Sequence, residues 1–119
     1  MGLTRVKVRI YNPTDGSRFA EAELPVDTGA LLSMVPRRIL EGIEIRPTYK
    51  RTFRVADGRA IEREVGAAIF EVEGYEGASP VIFGEEGDAA VLGVVSLEAM
   101  GLEVDPVTGK LRPMELLLV

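Results

Sequence analysis

Alternation of apolar and polar residues with a period of two is the feature that most limits what this chain can fold into. In the segment "TRVKVRI" every second residue from Val6 onward is apolar, and the residues between are basic. A period of two places one set of side chains on one face of a sheet, so a strand is predicted over residues 4–11. The next run, "RFAEAEL", alternates again after "NPTDGS", with Asp15 and Gly16 at the tip of the turn. The two runs predict a β-hairpin that ends at Asp27.

Strand-like runs continue through the rest of the chain. The segments "KRTFRVA" and "RAIEREVGAAIFEVEG" are joined by Asp57 and Gly58, a dipeptide that favours a tight hairpin because it tolerates positive φ. "SPVIFG" is predicted to be a short strand, and "AAVLGVV" is a continuous apolar run typical of a strand buried on both faces. "LEVDPVTGKLRPMELLLV" predicts two final strands around the turn "DPVTGK". The pattern indicates about eight strands.

Two short helices are predicted between the strands. Pro36 can begin a helix at its first turn, where its missing N–H is no loss, and Gly42 ends this helix after "RRIL". "SLEAMG" predicts one compact helix, with Ser96 as its N-cap and Gly101 at its end. The 119 residues contain no repeat and no linker, so a single domain of the all-β class is predicted over residues 1–119.

Composition narrows the chemistry that such a domain can carry out. The chain contains no Cys and no His, which excludes disulfides and thiolate metal sites and removes the commonest general base. Catalysis would have to use carboxylates, hydroxyls, Lys or Arg. The net charge of −5 argues against a nucleic-acid partner, and we interpret the basic residues of "YKRTFRVADGR" as the solvated face of a strand.

The sequence predicts neither a secreted protein nor a membrane partner. "MGLTRVKVRI" carries charges through its apolar residues and lacks the apolar core of a signal peptide. "MELLLV" is far shorter than the ~20 apolar residues that a membrane-spanning helix needs. A cytoplasmic protein is therefore expected.

One acid stands in apolar surroundings. Asp27 follows Leu24, Pro25 and Val26 in "AELPVDTGALLSMVP", and a second apolar run begins three residues later. A carboxylate is costly to bury without partners, so its position needs an explanation. One interpretation is structural, since Asp-Thr-Gly is good turn chemistry in which the side chain accepts a backbone N–H. The other is that the carboxylate takes part in catalysis.

Three segments in a fixed order favour the catalytic interpretation. They are "VDTGA" at 26–30, "ADGR" at 56–59 and "AVLGVVSLEAMGL" at 90–102, and Gly93 follows Asp27 by 66 residues (93 minus 27). With these motifs the chain resembles the retroviral-type, or retropepsin-like, single-lobe aspartic proteases, and their order runs through most of the chain. The resemblance implies an all-β, closed acid-protease barrel with one or two short helices, which forms a homodimer.

The resemblance implies roles for the residues of the first motif. Aspartic proteases activate water with two carboxylates that share one proton, so a dyad of Asp27 from two subunits is implied. Thr28 would hydrogen-bond across the twofold axis, Gly29 would let the substrate come close, and Ala30 is the small residue that usually follows. The implied reaction is hydrolysis of peptide bonds in a peptide or protein substrate, with no metal and no cofactor.

The "ADGR" hairpin lies where this family has its flap, a mobile cover over the substrate. That position would make Ala56, Asp57, Gly58 and Arg59 substrate-binding residues, because a lid must exclude water and hold the substrate. The alternative is an ordinary hairpin turn.

Two positions depart from the family pattern. The retroviral enzymes usually carry an acid two residues after the motif glycine and an Arg directly after the later apolar-apolar-Gly. This chain has Leu31 and Val94 there. Losing both charges together avoids an unpaired buried charge and predicts a more apolar cleft.

The mode of dimerisation and the activity itself each have an alternative. An exposed strand edge with "LLLV" would favour aggregation unless something covered it. In the retroviral relatives the termini of both subunits form one sheet, so the resemblance implies that "RVKVRI" and "MELLLV" join such a sheet here. Both ends could instead complete the barrel of their own subunit. The rival to the protease is a non-catalytic β-domain of the same fold, acting as a dimerisation or peptide-binding module, since a fold does not fix a function.

Overall fold

The computed structural model describes residues 4–118. In this range the chain forms eight strands and two short helices, so the mostly β architecture predicted from the alternation is confirmed. In chain order the elements are β1 (Arg5–Asn12), β2 (Asp15–Pro25), β3 (Ser33–Pro36), α1 (Arg37–Gly42), β4 (Tyr49–Arg54), β5 (Ala60–Val72), β6 (Tyr75–Gly84), α2 (Val94–Met100), β7 (Leu102–Val104) and β8 (Leu111–Pro113).

Strand β5 organises the larger sheet because it pairs with three other strands. Its first half pairs antiparallel with β4, and its second half lies between β1 and β6. The strand order is β2-β1-β5-β6-β3, with β3 parallel to β6, and β7 and β8 form a separate two-stranded sheet. Within residues 4–118 this order does not close on itself, so the predicted closed barrel is not confirmed.

The alternation in the sequence produces one buried face. Val8 and Ile10 are fully buried, whereas the basic residues on either side of them keep contact with solvent. Phe70 and Phe83, also fully buried, belong to the same core cluster, which Leu92 and other apolar residues complete. Burying such side chains contributes about 1.5–3 kcal/mol each, so this single core is the main source of stability.

The first hairpin turns two residues earlier than predicted. The residues between β1 and β2 are Pro13 and Thr14, and Asp15 already pairs with Asn12. The Asn12 side chain explains the difference: its Oδ1 accepts the Thr14 N–H at 2.9 Å, and its Nδ2 donates to the carbonyl oxygen of Ile43 at 2.9 Å. The turn is therefore held by a contact with a distant loop, and Asp15-Gly16 belongs to a strand.

The prediction of a strand over "AAVLGVV" is wrong. Only Val91 and Leu92 form isolated bridges, to Met34 and Val26, and α2 begins at Val94. Ser96 is consequently a buried residue inside the helix and not its N-cap, a position taken by Gly93. Other boundaries agree with the prediction: Pro36 and Gly42 bound α1, and Gly101 ends α2 in the left-handed conformation.

The last strand is shorter than the sequence suggested. β8 ends at Pro113, and residues 114–118 form no strand, while Val119 lies outside the described residues. β1 pairs with β2 and β5 of its own chain. Among residues 4–118, no helix has the length and apolar character needed to cross a membrane.

Candidate active site

The backbone on both sides of Asp27 is fixed by neighbouring segments. Val26 is buried and bridges in parallel to Leu92, and its N–H donates to the Thr4 carbonyl oxygen at 2.7 Å. The Asp27 N–H donates to the Leu92 carbonyl oxygen at 3.0 Å. A chain paired in this way has little freedom, so the carboxylate that follows is presented from a rigid position.

The carboxylate itself is partly exposed at the surface of the chain. Its Oδ1 accepts the N–H of Gly29 at 2.8 Å, and the Asp27 carbonyl oxygen accepts the N–H of Ala30 at 3.1 Å. The bond from the Gly29 N–H to the Asp27 side chain is the one predicted by the structural interpretation of the motif. Oδ2 has no hydrogen-bond partner in the described part of the chain, so it is available to solvent, a substrate or a second copy.

Thr28 and Gly29 lie at the exposed tip of the same loop. A Cβ at Gly29 would approach Oδ1 of Asp27 to 3.1 Å, tighter than nine in ten real Cβ contacts. The glycine therefore allows the carboxylate to turn back onto its own loop. The Thr28 hydroxyl makes no hydrogen bond with residues 4–118, which leaves it free to bond to a partner.

The start of α2 supports the loop from behind. The N–H groups of Val94 and Val95 donate to the carbonyl oxygens of Ala30 and Leu31, both at 2.9 Å. This close approach requires Gly93, because a Cβ there would lie 2.6 Å from the carbonyl carbon of Leu32. The third sequence motif thus contacts the first in two ways: Leu92 bridges to Val26, and the start of α2 bonds to Ala30 and Leu31.

Three buried serines connect this support to the sheet. The Oγ atoms of Ser33 and Ser96 lie 2.6 Å apart, and those of Ser96 and Ser79 lie 2.7 Å apart. Ser33 Oγ accepts the N–H of Gly93 at 2.9 Å, and Ser79 donates to the Pro80 carbonyl oxygen at 3.2 Å. Each hydroxyl can therefore donate once and accept once along a single chain, which joins β3, α2 and β6 without an unsatisfied group. Sequence reasoning missed this cluster because the three serines are far apart in the chain.

A cleft of about 570 Å³ opens beside the motif loop. One wall contains Gly29, Ala30 and Leu31, and the opposite wall is the β4–β5 hairpin with Phe53 and Val55. The volume is in the usual range for binding sites, and the lining is mostly apolar. Its other lining residues are Leu32, Met34, Tyr49, Arg51, Thr52, Arg54, Ile61, Pro80, Ile82, Ala89 and Val91.

The predicted flap residues form a tight loop at the end of this hairpin. The Val55 N–H donates to the Arg59 carbonyl oxygen, and Gly58 has a φ of 91°, so the loop extends beyond the two-residue turn that was predicted. Asp57 accepts the backbone N–H and the Nε of Arg59 at 2.9 and 2.7 Å. Of this loop only Val55 lines the cleft; Ala56, Asp57, Gly58 and Arg59 do not. Their role as substrate-binding residues stays a prediction.

One of the two departures from the retroviral pattern adds an apolar side chain to the cleft. Leu31 lines the cleft and is 67% exposed, whereas Val94 is partly buried and does not line it. The charged residues among those that line the cleft are Arg51 and Arg54. Sequence reasoning placed these two on a solvated strand face. Tyr49, Arg51 and Phe53 are every second residue of the strand, so the pattern could have indicated that Arg51 shares its face with aromatic side chains.

An ion pair holds the loop that forms the remaining wall. Arg63 donates to both carboxylate oxygens of Asp88, at 2.7 and 2.9 Å, and both side chains are largely buried. These hydrogen bonds lower the pKa of Asp88 below its ordinary value. The pair secures residues 85–91 beside β5, so it positions Ala89 and Val91 at the cleft.

The comparisons with known proteins identify a fold and no more. No protein-family model matches the chain, and no curated protein matches it. Among solved structures, the chain is similar to one described as "Solution structure of Simian Foamy Virus (mac) protease", with a TM-score of 0.55 and 21% sequence identity. The match covers 80% of this chain and 92% of the viral one. At this level of identity the likeness shows that the chain shares the fold of a retroviral protease.

Proposed function

We propose that the protein is an aspartic endopeptidase whose active form is a homodimer, with Asp27 of each copy in a shared dyad. The observation that carries the proposal is the position of Asp27: a partly exposed carboxylate on a rigid loop, with one oxygen free, next to an apolar cleft. The fold shared with a retroviral protease supports the same reaction class.

A second copy is needed because one chain supplies one acid to this place. The residues that line the cleft include no Asp or Glu, so within residues 4–118 no second carboxylate faces the substrate. A symmetric contact brings the same patch of both copies together. The exposed Thr28 hydroxyl would then find a partner across the axis.

The proposed reaction uses one shared proton. The charged carboxylate takes a proton from water as the water oxygen attacks the carbonyl carbon of the peptide bond, and the protonated carboxyl gives its proton to the carbonyl oxygen. The diol then collapses: its hydroxyl proton returns to one carboxylate, the other protonates the amine nitrogen, and the C–N bond breaks. Because the pair must hold one proton throughout, activity is expected to be greatest at mildly acidic pH.

Mixing wild-type and Asp27→Asn protein tests the shared dyad directly. When equal amounts of the two proteins exchange subunits, only about a quarter of the dimers have two wild-type subunits. If each active site needs two Asp27 carboxylates, only these dimers are active. Cleavage of a mixed peptide library should fall to about a quarter of that of pure wild type at the same total chain concentration, and pure Asp27→Asn protein should be inactive.

Asp15→Asn is the matched control, because Asp15 also accepts a backbone N–H two residues ahead, from Ser17 at 3.0 Å. It should retain full activity and should not reduce wild-type activity in the mixture. A fall to half, in proportion to the wild-type fraction, would mean that each chain acts alone.

A non-catalytic module is the second candidate, and one observation favours it. The bond from Gly29 to Asp27 is also that of an ordinary turn. Under this alternative, wild-type and Asp27→Asn proteins bind peptides equally and neither cleaves them.

We also propose that the residues after β8 take part in dimerisation. Leu116, Leu117 and Leu118 are 72%, 84% and 103% exposed, and such a run of exposed leucines marks an interaction surface. Truncation after Met114 should convert the dimer to an inactive monomer in sedimentation and cleavage assays. A truncated protein that stays dimeric and active would confine the interface to the Asp27 loops.

A further inference from the structure

We propose that the cleft selects peptides carrying an acidic residue among apolar ones, and that Arg51 and Arg54 recognise its carboxylate. The inference rests on the proposed peptide substrate and adds to it a charge requirement that the Asp27 motif does not contain.

The charge of the cleft is the first observation. Its lining is apolar or neutral apart from these two arginines, so its formal charge is positive although the whole chain carries −5. Charges separated by more than about 8–10 Å are screened at physiological salt, so a bound side chain responds to the nearby arginines more than to the distant acids.

The availability of the arginines is the second observation. Both are exposed, and neither forms an ion pair with any of residues 4–118. Arg54 donates one N–H, from Nη1, to the Gly58 carbonyl oxygen at 2.7 Å and keeps its remaining donors. A guanidinium presents a planar fork of donors that matches a carboxylate in two parallel hydrogen bonds.

Two other arginines of the same hairpin have acidic partners, which Arg51 and Arg54 lack in the described range. Arg63 is bonded to Asp88, and Arg59 is bonded to Asp57. Arg51 pairs in register with Arg63 on β5, whose charge Asp88 already matches, so Arg51 keeps an unmatched positive charge beside a neutral ion pair.

The surroundings of the arginines define the rest of the ligand. Phe53, Val55 and Ile61 lie beside them, and Leu31 and Leu32 form the facing wall. In an extended peptide, alternate side chains point to opposite sides, so apolar residues can fill this wall while a neighbouring Asp or Glu reaches the arginines. A basic side chain in the same place would meet a like charge.

Binding to the Asp27→Asn protein separates recognition from cleavage. The probes are fluorescently labelled, acetylated octapeptides of Leu, Val, Phe and Ala, with a single Glu, Gln or Lys moved through the interior positions. Fluorescence anisotropy should show, at one or more positions, a Kd about tenfold lower for Glu than for Gln, equivalent to about 1.4 kcal/mol. Lys should bind more weakly than Gln, and the differences should shrink at 0.5 M salt.

Charge reversal identifies the residues responsible. Arg51→Glu in the same background should abolish or invert the preference, and Arg51→Gln should reduce it. Lys50→Glu is the matched control, since Lys50 is an exposed cation on the same strand that does not line the cleft. It should leave the order of affinities unchanged, and circular dichroism verifies that each variant is folded.

The outcomes distinguish this inference from the proposed function. Equal affinity for the Glu, Gln and Lys peptides would overturn the charge preference and leave the protease proposal standing, as would a preference that Lys50→Glu alters as much as Arg51→Glu. Failure of every peptide to bind would overturn both. Selective binding of Glu peptides by a wild-type protein that cleaves none of them would support the arginine site and refute catalysis.

Discussion

Replacing Gly93 by Ala tests whether the contact between α2 and the motif loop determines the position of the acid. The backbone at Gly93 has φ −95° and ψ 175°, an extended conformation that any residue adopts. The effect of an added methyl group is therefore one of space alone. The new Cβ would lie 2.6 Å from the carbonyl carbon of Leu32, 2.7 Å from its oxygen and 3.0 Å from the carbonyl oxygen of Ala30.

The size of the effect follows from these distances. To restore an ordinary contact of 3.4 Å, the Leu32 carbonyl carbon must move by about 0.8 Å. Overpacking of this kind costs about 1–3 kcal/mol in free energy of unfolding. The loop that moves also carries Ala30, whose N–H bonds to Asp27. A displacement of about 1 Å at a catalytic group costs about 100-fold in rate.

Urea unfolding and kcat/KM for peptide cleavage measure the two effects separately. Activity is measured where the variant is fully folded, so that a rate loss reports on geometry. Gly16→Ala is the control, because nothing lies within 4 Å of a Cβ at that position; both of its properties should stay near those of wild type. A Gly93→Ala protein with unchanged stability and unchanged kcat/KM would refute the reasoning, since the loop could then move away without moving the acid.

Three further predictions concern the support of the site. Ser96→Ala removes the two hydrogen bonds that join the three buried serines. It should lower the free energy of unfolding, measured by urea titration, by about 1–3 kcal/mol because Ser33 and Ser79 lose a buried partner. An unchanged unfolding midpoint would mean that the serine cluster adds no stability. Because Arg63 lowers the pKa of Asp88 in the folded protein, the pair stabilises it above the ordinary carboxyl pKa of about 3.9 and is lost as the pH falls through the lower folded-state value. Asp88→Asn should therefore flatten the decline of Tm between pH 5 and pH 2, whereas parallel curves would argue against the linkage. Amide exchange at residues 56–59 should slow when one of the octapeptides binds, and unchanged exchange with binding verified would make this loop an ordinary turn.

Local pattern predicted the elements whose environment is itself local. The alternation around Val8 and Ile10 indicates a strand because the pattern depends only on which face of the strand is buried. The turn after β1 escaped the same reasoning because its geometry depends on the Asn12 amide and the Ile43 carbonyl, which are 31 residues apart in the chain. No turn dipeptide encodes such a contact.

The apolar run before α2 shows a second limit. A continuous apolar segment suits a buried strand and a buried helix start equally well. In the structure this segment begins a helix. The Ser33 hydroxyl accepts the Gly93 N–H, and the carbonyl oxygens of Ala30 and Leu31 accept the N–H groups of the two residues that follow Gly93. The motif order was enough to predict that these segments matter together, whereas the form of their contact depends on positions 60 or more residues apart.

A sequence predicts a reaction class more readily than a substrate specificity, and the arginines of the β4–β5 hairpin show why. A motif such as Asp27-Thr28-Gly29 carries its chemistry in consecutive residues, so it is recognisable wherever the fold places it. Arg51 acquires its proposed role because β4, which pairs with β5, lines the same cleft as Leu31. The same exposed arginine on another edge would be the solvated residue that its sequence context suggested. Under the proposed function, a substitution in β4 such as Arg51→Glu is therefore expected to change the peptide preference while it leaves the acid, its loop and the buried serines intact.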